Sequence, residues 1–174
     1  DLILTTHVHS DHFDADMVGA HMERSTGVLF VSSRAAVDRL RAAFPGLAEE
    51  RLHAFEPEEG QRMQARLQGV DLEVLNLPHG VPVTNLAFVI HLGGKKLLHT
   101  GDLVDPADVA AYGLAADHID VALVPYFFLL QEDLLTEDGR SELLEAIQAR
   151  HVVPMHLSLM AYSREGTVEE LAGV

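Results

Sequence analysis

Thr6-His7-Val8-His9-Ser10-Asp11-His12 follows the β-prone run Leu2-Ile3-Leu4-Thr5-Thr6 and precedes a segment with apolar residues at helical spacing. In an extended segment, residues i and i+2 project to the same side, so His7 and His9 can present two imidazoles to one ion. Asp11 and His12, where the chain turns toward the helix, can face a second point nearby. Three imidazoles and one carboxylate within positions 7–12 suit Zn²⁺ or another borderline divalent ion. A merely solvated or helix-capping loop does not require four ligand-type side chains at this spacing. The P-loop, Gly-x-Ser-x-Gly and His-Glu-x-x-His patterns are all absent.

Outward from this loop the chain reads as alternating elements. Asp14 to Ser25 is expected to be a helix, with Met17, Ala20, His21 and Arg24 at helical spacing. Val28 to Val31 is a short strand, and Ser33 caps a second amphipathic helix carrying Ala36, Val37, Leu40 and Phe44, stopped by Pro45-Gly46. Leu52–Phe55, Gln61–Leu67 and Val70–Leu77 read as strands. Thr84–Leu92 and Lys95–His99 flank Gly93-Gly94, a hairpin signal. Asp105–Tyr112 is a short helix, Ile119–Val124 a buried strand, Ser141–Arg150 a helix and Val152-Val153 a final strand. Thr167-Val168-Glu169-Glu170 opens a last helix as a capping box. The β-α-β-α opening predicts an α/β layered fold, and the lack of repeats or linkers predicts one domain over residues 1–174.

Composition narrows the function classes. The 174 residues are 48% hydrophobic, ample for a buried core, and carry a formal net charge of −15. A field of that sign repels polyphosphate, so no nucleic-acid partner is expected. With no cysteine there is no disulfide framework and no thiolate nucleophile. The absence fits a reducing, cytoplasmic setting. The longest apolar run, Val121–Leu130, is broken by Pro125, so no membrane partner is expected. The sequence opens on Asp1 rather than Met, so a processed leader would be invisible.

The Thr6–His12 segment resembles the His-x-His-x-Asp-His signature of the metallo-β-lactamase superfamily. Three further residues extend the resemblance, each after a strand: His79 in Leu77-Pro78-His79-Gly80, Asp102 in His99-Thr100-Gly101-Asp102, and His156 in Val153-Pro154-Met155-His156. The resemblance implies an αββα sandwich with a first metal site of His7, His9 and His79. It also implies a second site of Asp11, His12 and His156, with Asp102 shared. Two divalent ions, Zn²⁺ first with Mn²⁺ or Fe as alternatives, would activate water for attack on an ester, lactone or phosphoester of a small molecule. Asp102 would bridge the ions, and Asp11 or His156 would protonate the leaving group. Thr6–Asp14 and Ile119–Pro125 look most like the branch that includes ascorbate-6-phosphate lactonase. Asp102 and the missing cysteines argue against antibiotic hydrolysis as the task. Family members carry strands ahead of this loop, so the first sheet is expected to lack its N-terminal strands. An exposed sheet edge completed by a second copy is the matching expectation for a homo-oligomer. Two other readings stand beside the hydrolase: a metal-binding but inactive module, and an iron-dependent oxidoreductase on the same fold.

Other residues are weaker candidates. His99 is expected to be packed, or to support the metal ligands from behind, rather than to be a ligand. His21, His53, His91, His118 and His151 read as surface or satisfied core residues. Asp120 either orients an imidazole or caps a strand start. Tyr126 is the expected cleft residue for substrate, Phe127 and Phe128 are expected in the core, and Ser158 and Tyr162 are close enough to His156 to touch substrate.

Overall fold

The computed structural model describes residues 1–80, 82–129 and 137–156, with the side chains of 137–141 set aside. Ser158, Tyr162 and the helix expected from Thr167 lie outside the described residues. In chain order the elements are β1 (Leu2–Leu4), α1 (Ala15–Arg24), β2 (Leu29–Ser33), α2 (Arg34–Ala43), β3 (Leu52–Phe55), β4 (Met63–Leu67) and β5 (Val70–Asn76). They continue with β6 (Leu86–Leu92), β7 (Lys95–His99), α3 (Pro106–Ala110), β8 (Val121–Pro125), α4 (Glu137–Ile147) and β9 (His151–Met155). The expected elements are recovered within a few residues at each end. The largest shift is in α4, which begins at Glu137 rather than Ser141.

Two sheets form the centre. The first is parallel throughout, in the order β1-β2-β3, and the second runs β4-β5-β6-β7-β8-β9. In the second sheet β4 to β7 are antiparallel, while β7, β8 and β9 are parallel. β9 is an edge, which is where Pro154 can sit in a strand without breaking a ladder. The β6–β7 hairpin turns on Gly93-Gly94, both at positive φ (58° and 74°), as a two-residue turn between twisted strands requires.

Helices cover both outer faces, giving the αββα order. α1 starts where the Asp14 carboxylate accepts from Met17 N at 2.9 Å, and α2 where Ser33 Oγ accepts from Ala36 N. Their apolar stripes (Ala15, Gly19 and Met22; Ala36, Val37 and Leu40) close over β2, packing with Phe13, Phe30 and Leu52. α3 and α4 cover the second sheet through Val109, Leu143 and Ile147, which meet Leu75, Val89, Leu98 and Val124. Between the sheets lies a smaller core of Val31, Val74, Leu86 and Phe88, with Leu4, Phe55, Leu67 and Ile90 beside it.

One clamp was not legible from residue patterns. The Arg51 guanidinium donates to three backbone carbonyls, those of Val28 (3.0 Å), Met22 (2.8 Å) and Ser25 (2.7 Å). It satisfies the carbonyl end of α1 and ties it to the start of β2. Arg51→Met keeps the apolar stem but strands these acceptors. It is expected to cost about 2 kcal/mol in chemical denaturation, with Arg51→Lys in between.

Candidate metal centre

The ligand-type residues stand on loops that leave the C-terminal ends of β1, β5, β7 and β9, where α/β sheets present their binding crevices. His7 to His12 follow β1, His79 follows β5, Asp102 follows β7 and His156 follows β9. One backbone bond ties the loop after β1 to the second sheet, Leu86 N donating to Thr6 O (2.8 Å), while Thr5 N, donating to Val31 O (3.1 Å), holds the same loop against β2. On the outside, Arg39 donates to Val8 O at 3.3 Å while lying over the Phe13 ring.

All seven residues expected as ligands converge. His9 Nδ1 lies 3.1 Å from His7 Nε2 and 3.2 Å from His79 Nε2. Asp11 Oδ2 lies 3.5 Å from both His12 Nε2 and His156 Nε2. Between these groups sits Asp102 Oδ2, at 3.2 Å from His12 Nε2, 3.1 Å from His156 Nε2, 3.7 Å from His7 Nε2 and 3.8 Å from His79 Nε2. Tetrahedral zinc with bonds of about 2.0–2.1 Å would hold its ligand atoms roughly 3.3 Å apart. These separations therefore suit a divalent ion in each cluster, with Asp102 able to serve both.

The surroundings fit the same role. Asp102 Oδ1 is buried and has no hydrogen-bond partner among the described residues, a costly state for a carboxylate without a cation. His79 Nδ1 lies 2.9 Å from the Asp102 carbonyl, which can only accept, so Nδ1 carries the hydrogen and Nε2 offers its lone pair to the centre. Thr6 Oγ1 stands 3.0 Å from His7 Nδ1 and 3.4 Å from His12 Nδ1, turning both Nε2 atoms inward. His156 has φ +58°, a strained value for a non-glycine residue and of the kind that clusters at working sites.

Electrostatics prepares the ligands. Burial, reinforced by the neighbouring His12, pushes His7 down to about 4, so its imidazole is neutral at pH 7. His12 is raised, chiefly by its hydrogen bond to Asp102. Burial alone would raise Asp102, but the bond to His12 and the nearby His156 and His7 hold it below the ordinary carboxylate range. His7 beside the ionised Asp102 is therefore ready to bind metal, whereas His12, held toward its protonated form, gives up a proton when an ion binds.

The secondary candidates divide. His99 is not in the cluster; its Nδ1 accepts from Gly101 N at 3.1 Å and so supports the turn before Asp102. Asp120 caps a strand start and orients no imidazole: it accepts from Lys95 Nζ (2.9 Å) and Lys96 N (3.1 Å) at the N-terminal ends of β7 and β8, the opposite ends from those that carry the ligands. His91 bonds to Glu73 at 2.9 Å, whereas His53, read as a surface or satisfied core residue, is half-buried with an Nε2 that has no partner among the described residues. Tyr126 is half-buried on the short 3-10 turn Tyr126–Phe128, its ring 5.9 Å from that of Phe127. Phe128 is in the core as expected. Phe127 faces two ways, packing on the core and meeting the His156 ring edge-on at 6.5 Å.

Over 163 residues the chain is 28% identical to a metal-dependent hydrolase of Thermoplasma acidophilum, covering 90% of this chain and 65% of that one. It is also 28% identical over 130 residues to a protein of Mycobacterium tuberculosis named for a Rieske 2Fe-2S centre, covering 72% of this chain but only 24% of that protein. A Rieske centre needs cysteine ligands and this chain has none, so the similarity does not extend to such a cluster here. Among solved structures, the metallo-beta-lactamase fold protein YhfI of Bacillus subtilis superposes with a TM-score of 0.66 at 14% identity, over 100% of this chain and 71% of that one. No helix among the described residues is long and apolar enough to cross a membrane. Residues 1–157 match the model of the beta-lactamase superfamily domain. With its His-x-His-x-Asp-His loop and the αββα frame behind it, the chain belongs to the metallo-β-lactamase superfamily.

Proposed function

We propose that this chain carries the dinuclear centre of a metal-dependent hydrolase that opens an ester or lactone of a small molecule. The observation behind this reading is Asp102 Oδ2, placed within 3.1–3.8 Å of four imidazole nitrogens drawn from three loops. Two divalent ions, when bound, supply Lewis acidity and lower the pKa of water, so no protein nucleophile is needed.

The residues themselves bind, orient and shield. His7, His9 and His79 would hold one ion and Asp11, His12 and His156 the other. Asp11 is the most exposed of these, its side chain 62% accessible, and His156 is 31% accessible. Both stand on the solvent side of the cluster, where a leaving group departs and needs its proton. Phe127 screens His156 from behind. A groove beside His79 is lined by Glu59, Asn76, Pro78, Gly80, Pro82 and Val83. With an acidic residue and no cation among those residues, it favours an uncharged acyl substrate over a phosphate ester.

The reading is tested by metal content and turnover together. Purified protein is expected to hold about two ions per chain, measured by plasma mass spectrometry. It should hydrolyse p-nitrophenyl acetate or a γ-lactone faster than bis-p-nitrophenyl phosphate, lose activity to a chelator and regain it with Zn²⁺ or Mn²⁺. Full metal occupancy without turnover would make the chain a binding module. Failure to take up any ion would end the proposal.

A further inference from the structure

We infer that Asn85 is the positioning residue of the centre and selectively sets the first metal site; this rests on the dinuclear reading above. Asn85 touches no ligand side chain. It is fully buried at the entry to β6, and its carboxamide is committed to backbone on two other segments. Nδ2 donates to Leu77 O at 2.9 Å and to Thr100 O at 3.2 Å, while Oδ1 accepts from Asp102 N at 3.1 Å. Its own carbonyl accepts from Leu77 N at 3.1 Å. One side chain thereby ties the strand end before His79 to the turn that presents Asp102.

The ties form a relay. Asp102 is held at both ends of its backbone, its N–H by Asn85 and its carbonyl by His79 Nδ1. That second bond fixes the tautomer and ring orientation of His79, so releasing Asn85 frees the group that aims His79 Nε2. Gly101 records how closely the carboxamide is packed. Its φ is +61°, and a Cβ there would fall 2.2 Å from Asn85 Oδ1 and 2.9 Å from Cγ. Among the described residues Asn85 has no bond to the loops that carry Asp11, His12 and His156, so the second site keeps its own three ligands and feels Asn85 only through the shared Asp102.

The test is Co²⁺ titration of the metal-free protein followed by d–d absorption, with His79→Ala and His156→Ala as references for loss of the first and second site. Asn85→Ala is expected to weaken one ion by about 10–100-fold, leave the other within a few-fold, and give the His79→Ala spectrum. Asn85→Ser, which keeps one polar atom, should fall between and serves if the alanine variant does not fold, as judged by circular dichroism. Gly101→Ala should reproduce the same spectrum by displacing the carboxamide. Equal loss at both sites, unaltered binding, or a spectrum matching His156→Ala would overturn the inference. If wild-type protein binds two Co²⁺ and only the Asn85 pattern fails, the dinuclear reading stands without it. If wild type binds none, both fall together.

Discussion

Replacing Asp102 with alanine is expected to take the protein from about two ions to at most one and to lower hydrolysis by about 1,000-fold or more. Among the described residues it is the carboxylate grouped with imidazoles of both clusters, His7 and His12, and Asp11 is the other carboxylate in them. In the proposed centre two divalent ions would meet two carboxylates, and the variant would leave three positive charges in excess in a partly buried site. Asp102→Asn separates charge from shape. Its backbone N–H can still reach Asn85 and its carbonyl can still receive His79, so the loop should hold while the second ion is lost. Metal analysis beside initial rates on p-nitrophenyl acetate checks this. Retention of two tightly held ions in both variants would remove Asp102 from the bridging position.

The second large effect is expected in the fold. At Gly19, where α1 meets the end of α2, a Cβ would sit 2.1 Å from Phe44 Cδ2 and 2.5 Å from Cγ, so the whole ring would have to move. Gly19→Val should destabilise the chain by about 3 kcal/mol, because overpacking outweighs the modest gain in helix propensity. Urea denaturation measures the loss. The double variant Gly19→Val/Phe44→Ala should recover part of it, since the valine then occupies the space of the ring. Strict additivity would show that the two residues do not compete for that space.

What was legible in the sequence is what depends on near neighbours. His7, His9, Asp11 and His12 could be read as ligands because four ligand-type side chains crowd one short segment, although that segment is a turn, with His12 N and Phe13 N both donating to His9 O, and not the extended run expected. Asp14 and Ser33 could be read as caps because their partners lie only three residues on. His79, Asp102 and His156 were reachable through family resemblance alone; their spacing along the chain carries no geometric message. Asn85 was not reachable at all. In Thr84-Asn85-Leu86 it reads as an ordinary residue before a strand, and its partners lie 8, 15 and 17 residues away. Arg51 was hidden for the same reason, its three acceptors lying 23 to 29 residues back. Phe127 has a core side and a site side, and its sequence context shows only the first.

The division of the ligands between the sheets has one more consequence. The loop after β1 supplies His7, His9, Asp11 and His12, while the opposing sheet supplies His79, Asp102 and His156. Among the described residues, a modest apolar seam and a few hydrogen bonds, Leu86 N to Thr6 O and Gln68 Nε2 to Gly27 O among them, otherwise join the halves. Each ion bound at the proposed centre would therefore act as a rivet through the sandwich, its binding free energy doubling as cohesion between the layers. At a free-ion level about 100 times its dissociation constant, one such rivet adds roughly 2.7 kcal/mol of stability. In a cell short of metal, the first symptom would then be a shorter lifetime of the polypeptide, as the layers part and proteases gain entry, ahead of any accumulation of idle enzyme.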